Sequence, residues 1–300
     1  MRPVASEVPD WPTEEWQKMN MIEYKEIVDE VACICRRAAN ELPEDVRAAL
    51  RAARQEETSS VARSILQQCL DNADIAAGEK LPLCQDTGSA VFFVEHGTDV
   101  RISGGCLPDA IREGTSRGYV DGKLRKSIVD DPVFDRENTG DNTPPIIHTE
   151  MVPGKRLRLD LALKGGGSEN MSAVTILQPS DGREGIADYV VKHVVESGGN
   201  PCPPTVVGVG IGGNLEKSAL LAKKSLFRTV GEPHPDERYA ELEREILERI
   251  NDSGVGPQGL GGRTTALAVH VEHFPCHIAS LPVAVNLNCH AARHVSTVME

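Results

Sequence analysis

Three cysteines sit in loop-forming surroundings far apart in the chain, and any fold must decide where those loops go. Cys84 opens Cys84-Gln85-Asp86-Thr87-Gly88, directly after Leu81-Pro82-Leu83. Cys202 sits in Pro201-Cys202-Pro203-Pro204, ahead of Thr205-Val206-Val207-Gly208. Cys289 closes the apolar run Leu281-Pro282-Val283-Ala284-Val285-Asn286-Leu287-Asn288 and is followed by His290. Proline ends helices and biases its predecessor away from the α region, so these thiols are expected on loops. Three thiolates brought together by folding suit an iron–sulfur cubane with one iron left unligated by protein. An open iron is a Lewis acid that can hold and polarise a substrate oxygen.

The chain has 300 residues, 40% of them hydrophobic, enough for a sizeable core in one large domain or two small ones. Its formal net charge of −13 argues against nucleic acid as a partner and for a soluble, freely diffusing protein. No apolar stretch approaches the ~20 residues of a membrane span. Residues 1–22 carry neither an apolar signal core nor Arg/Ser-rich transit character. They read as a loosely ordered extension ahead of a domain over 23–300. Eight cysteines without a signal peptide read as reduced thiols of a cytoplasmic protein. Cys33 and Cys35 fall on a predicted helix and read as core filling, as does Cys69. Cys106 and Cys276 lie in or near loops and take no assignment.

The first third is predicted helical over residues 23–38, 44–53 and 59–77, from apolar residues at a 3.6 period. Ser59 is a candidate cap and Gly78 a candidate stop. Further helices are expected at 108–118, 185–196, 215–226 and 235–251, and strands at 89–94, 205–211, 265–271 and 281–287. Residues 146–152 and 157–163 look like a hairpin across Pro153-Gly154. The irregular alternation favours an α+β fold: a mixed, largely antiparallel sheet covered by helices, with a helical N-terminal region.

Gly208-Val209-Gly210-Ile211-Gly212-Gly213 matches the dinucleotide fingerprint and stands between a predicted strand and helix. The prolines upstream, and the short strand after the helix, argue against nucleotide binding. Tight packing of helix on strand is the preferred reading.

Together these segments resemble the α subunit of two-subunit class I (iron–sulfur) fumarate hydratases, a group that includes the L(+)-tartrate dehydratases. The resemblance runs from about residue 23 to 294. It is carried by Cys84-Gln85-Asp86-Thr87-Gly88, Lys164-Gly165-Gly166-Gly167-Ser168-Glu169-Asn170, the Cys202 loop with the glycines after it, Gly256-Pro257-Gln258-Gly259-Leu260 and the Cys289 segment. It implies a [4Fe–4S] cluster on Cys84, Cys202 and Cys289 whose fourth iron binds substrate. It implies a hydro-lyase that interconverts fumarate and (S)-malate. The alternative is L(+)-tartrate dehydration to oxaloacetate, although Ser168-Glu169-Asn170 looks more like the fumarase branch.

The resemblance also assigns residues. Asp86 would assist proton transfer and Gln85 would touch substrate, where the plainer reading of Asp86 is an Asx turn. Gly166 would lie against the substrate, as a glycine lets a backbone amide approach an anion. Arg125, 41 residues after Cys84, would pair with a substrate carboxylate. Read alone, it is ordinary surface charge. His277, twelve residues before Cys289, matches an active-site histidine, while His290 reads as a donor beside the cluster simply from standing next to Cys289. Arg293 and His294 read as surface or interface. The family's hydroxyl base and further cations are expected on a separate β subunit, which would complete the site at the interface. A reading of another class is a non-catalytic zinc-binding or interaction subunit, with zinc on Cys84, Cys202, Cys289 and His290.

Overall fold

The computed structural model describes residues 20–300. The elements run β1 (Asn20–Glu23), α1 (Tyr24–Asn40), α2 (Glu44–Glu56), α3 (Ser60–Glu79), β2 (Ser89–Gly97), β3 (Val100–Ser103) and α4 (Leu107–Asp121). They continue with β4 (Ile146–Val152), β5 (Leu157–Lys164), the single turn α5 (Gly166–Glu169), β6 (Ala173–Leu177), α6 (Gly182–Ser197) and β7 (Thr205–Gly212). Last come α7 (Leu215–Lys224), α8 (Glu237–Asp252), β8 (Ala266–Phe274), β9 (Leu281–Asn288) and β10 (His294–Met299). The N-terminal helices form where the apolar period places them, and Ser59 caps α3 by accepting from the Ala62 amide at 3.3 Å. That helix runs through Gly78 and stops at Lys80, which is left-handed at φ 55°.

The predicted extension over 1–22 lies mostly outside the described residues. Residues 20–22, however, belong to the fold: β1 pairs in parallel with β3, and Ile22 is buried.

Two four-stranded mixed sheets form the frame, in the orders β10-β5-β2-β4 and β6-β9-β7-β8. Both use the same pairing, antiparallel, antiparallel, then parallel at one edge. The α+β expectation therefore holds, with two four-stranded sheets in place of one. In the first sheet, alternate residues Leu157, Leu159, Leu161 and Leu163 of β5 face a core shared with α1 and α4. In the second, Val207, Val209 and Ile211 of β7 face a core with α6 and α8. The other face of β7 carries Gly208 and Gly210, and α7 lies directly on it. A Cβ built on Gly208 would stand 2.0 Å from the Ala222 carbonyl oxygen, and one on Gly210 1.9 Å from that of Ser218. The glycine run is thus a helix-packing surface.

The expected hairpin over 146–163 does not form. β4 and β5 lie on opposite sides of β2, with β4 parallel to it. The connection steps over the end of β2 at Gly97, where a Cβ would stand 2.3 Å from the Gly154 carbonyl oxygen. The Thr98 and Asp99 amides hold the crossing through Val152 O and Gly154 O at 2.8 and 3.0 Å.

Candidate active site

Strand register brings the three cysteine loops to one place. β9 and β7 are antiparallel with Val206 opposite Asn288, so the loop entering β7 and the loop leaving β9 share one end of the second sheet. Those loops carry Cys202 and Cys289. In the first sheet Ser89 pairs with Lys164, so the loop that enters β2 with Cys84 meets the turn that leaves β5. Residues 289–293 run from β9 into β10, which pairs with β5 from His294 opposite Ala162. The three thiols therefore gather where the chain crosses between sheets.

All three thiols are free. Cys289 is 7% exposed, Cys84 is half-buried and Cys202 faces solvent. They feel one another: burial pushes the Cys202 thiol pKa up, and charge on Cys289 and Cys84 pushes it the same way. Cys69, expected in the core, is their neighbour. It is buried there with Leu83 and Cys289. Burial raises its pKa to about 11, with charge on Cys289 and Cys202 adding to the rise.

The Cys84 loop is fixed along its length. The Leu83 amide donates to Ala39 O at 2.8 Å, and Asn72 donates to Leu83 O at 2.9 Å. Gly88 O accepts from the Tyr119 hydroxyl at 2.8 Å and from Asn142 Nδ2 at 3.0 Å. Gly88 must be glycine, since its φ is +81° and a Cβ would meet Lys164 O at 2.1 Å. Asp86 Oδ2 accepts from the Gly166 amide at 2.7 Å, and its carbonyl accepts from Arg293. The carboxylate of Asp86 is thus held by the glycine turn beyond a simple Asx turn.

The Cys202 loop is strapped from the Gly256-Pro257-Gln258-Gly259-Leu260 segment. Gln258 donates twice to Pro203 O, from its amide at 2.8 Å and from Nε2 at 2.9 Å. Its Nε2 also lies 3.1 Å from His290 Nδ1. The Cys202 carbonyl accepts from the His290 amide at 3.3 Å and lies 3.0 Å from His290 Nδ1. Burial holds the His290 imidazole below its ordinary pKa, which favours the neutral ring.

Not every expected residue arrives. Gln85 is exposed beside Cys84. Arg125 is exposed too; its amide donates to Thr87 Oγ1 at 3.3 Å, and its guanidinium makes no ion pair among the described residues. Gly166 reaches the site with its amide already committed to Asp86. His277 is not brought to the cysteines within this chain. It stands on the loop before β9, whereas Cys289 follows the strand's far end. Eight extended residues put roughly 25 Å between those ends. His277 is instead exposed beside a cleft of about 450 Å³ lined partly by Tyr239, Leu242 and Ile278. Arg293 and His294 are the reverse case. Arg293 is 2% exposed and clamps the Cys84 loop. His294 stands edge-on to the Phe227 ring. Cys33, expected in the core, is exposed, whereas Cys35 is buried.

Among the described residues, no group of three or more His, Cys, Asp or Glu side chains is arranged to hold a single metal ion. His290 also directs Nδ1 at Cys202 O and Gln258. Three free thiols converging from separate loops, with the Arg293 cation on the Cys84 loop, are a donor set that fits a cluster held by three sulfurs.

Comparison with known proteins places this chain in a class and then in a family. Proteins similar to this chain over most of its length are hydro-lyase subunits. Residues 28–298 match the family described as Fumarate hydratase (Fumerase), and the chain belongs to that family. It is 41% identical over 271 residues to a protein of Methanocaldococcus jannaschii provisionally named L(+)-tartrate dehydratase subunit alpha, across 89% of this chain and 95% of that one. It is 35% identical over 256 residues to the L(+)-tartrate dehydratase subunit alpha of Escherichia coli (strain UTI89), across 84% of each. No helix among the described residues is long and apolar enough to cross a membrane.

Proposed function

We propose that this chain is the cluster-bearing α subunit of a heteromeric hydro-lyase acting on a four-carbon dicarboxylate, with fumarate and (S)-malate as the substrate pair. The observation that carries this reading is the convergence of the Cys84, Cys202 and Cys289 loops beside a carboxylate, Asp86, that is held by a backbone amide. A [4Fe–4S] cluster on those cysteines would supply, when bound, a Lewis-acidic iron for the hydroxyl oxygen that leaves or adds.

The chain's own residues do the rest. Asp86 takes or gives a proton from a fixed orientation, because Gly166 N–H holds one oxygen and the other accepts no hydrogen bond among the described residues. Arg125 offers a guanidinium that makes no ion pair among the described residues of an acidic chain, suited to a bidentate grip on a substrate carboxylate. Gln85 presents an amide at the mouth of the loop. His277 has no part in the site of its own chain.

A β subunit would cover this face and supply the missing base and further cations. Two observations support a partner there. Leu260, two residues from the Gln258 strap on the Cys202 loop, is 66% exposed. Apolar side chains exposed around a site are what a partner surface buries. The similar proteins are themselves named alpha subunits. We assign the protein to the cytoplasm, where thiols stay reduced.

The names of those relatives favour a second reading, L(+)-tartrate dehydration to oxaloacetate, against the Ser168-Glu169-Asn170 segment that favours fumarate. Anaerobic coexpression with the β subunit tests both. The expected result is about four irons per α chain and faster turnover of fumarate and malate than of tartrate. Faster turnover of tartrate replaces the substrate. A colourless, zinc-loaded protein overturns the assignment.

A further inference from the structure

The segment Lys164 to Asn170 holds more charge than a flexible turn needs. Lys164, at the end of β5, is 2% exposed. Its Nζ donates to Ser168 Oγ at 2.8 Å and lies 3.3 Å from Glu169 Oε2. Ser168 Oγ and the Glu169 amide both bind Gly165 O, at 3.3 and 3.0 Å, which closes the turn on itself. From the second sheet, Lys223 of α7 pairs with Glu169 Oε1, and Asn286 of β9 donates to Oε2 at 3.2 Å. One carboxylate thus ties the end of the first sheet to a helix and a strand of the second, three residues before Cys289.

A buried ammonium is costly unless it is paired, so this lysine is committed to Glu169 and Ser168. The turn they close has little freedom left. A Cβ on Gly165 would stand 2.8 Å from Arg293 Nη2 and 3.5 Å from Asp86 Oδ2. The next amide, Gly166, holds Asp86 at 2.7 Å.

We propose that Glu169 is a positioning residue: gripped by Lys164, Lys223 and Asn286, it fixes the Gly165–Gly167 turn so that the Gly166 amide aims the Asp86 carboxylate. The inference rests on the role given to Asp86 above. Glu169 acts through that turn, so its loss disturbs proton transfer more than substrate binding or cluster retention.

The test uses the α chain with its partner for kinetics and the α chain alone for amide-resolved hydrogen exchange. Glu169→Gln keeps the shape and removes the charge. The expected result is unchanged iron per chain, KM within threefold of wild type, and kcat lower by tenfold or more. In the isolated chain, Gly166 exchange accelerates at least tenfold while the amides of β7 keep their protection. Lys223→Met moves the same readouts less, and Lys223→Arg restores them. A folded Glu169→Gln variant with kcat and Gly166 exchange within twofold of wild type overturns the proposal. So does exchange that accelerates equally in β7, or kcat lost together with iron, since either marks a purely structural role. If Glu169→Gln does not fold, the Lys223 pair decides by the same criteria. If wild type binds no iron and turns nothing over, the functional reading fails, and the exchange measurement still decides this inference.

Discussion

Cys289 is 7% exposed while Cys202 stands open to solvent, so the three thiols differ in environment though all are expected to be ligands. Cys84→Ser, Cys202→Ser and Cys289→Ser should each lose most of the iron from anaerobically purified protein. Cys33→Ser, on the exposed face of α1, should keep it. Equal loss at Cys33 would break the assignment. Arg125→Ala should leave iron and the visible spectrum intact but weaken substrate use by about tenfold to a hundredfold, the value of roughly 1.5–3 kcal/mol for a charge-assisted bond. Normal kinetics would return Arg125 to ordinary surface charge. At this scale the cysteine loops were legible because proline and glycine mark loops whatever the fold. Arg293 was not, because an arginine next to a histidine looks like surface until β10 pairs with β5 and buries it. His277 is expected at the site from the family resemblance, and within this chain the eight extended residues of β9 separate it from Cys289.

Elements were easier to read than their pairing. Helices α1, α2 and α3 follow from apolar period alone, and β7 and β9 from apolar runs bounded by turns. The supposed hairpin failed because Pro-Gly marks a turn without saying whether the strands it joins are neighbours. Here β2 slips between them, with Gly97 clearing the crossing. The short strands β1, β3, β6 and β10 carried too little pattern to be seen, since their identity lies in their partners. The glycine run on β7 gives a sharp test. Gly210→Ala would place a methyl against the Ser218 carbonyl and push α7 off the strand. Overpacking of that kind costs about 1–3 kcal/mol, measurable as a lower denaturation midpoint. An unchanged midpoint would mean that α7 does not lie on β7 as described.

Over the whole molecule, two sheets with the same pairing pattern meet where residues 289–293 cross between them, and the cysteine loops gather at that crossing. The sequence carried the three loops and their chemistry, but the meeting place depends on register, which no local pattern encodes. A net charge of −13 leaves the site dependent on local cations: Arg125, Arg293 and those expected from the partner. A partner covering the cysteine loops and the exposed Leu260 would bury an obligate interface on the order of 2,000 Å² or more. Water exclusion there would strengthen every charge interaction at Asp86 and Arg125. The direct measurement is hydratase turnover by the anaerobically purified, iron-loaded chain alone and with its β subunit. The account predicts negligible turnover alone and recovery with the partner. Full turnover by the single chain would contradict it, because the proton-transfer machinery would then be complete within these 300 residues.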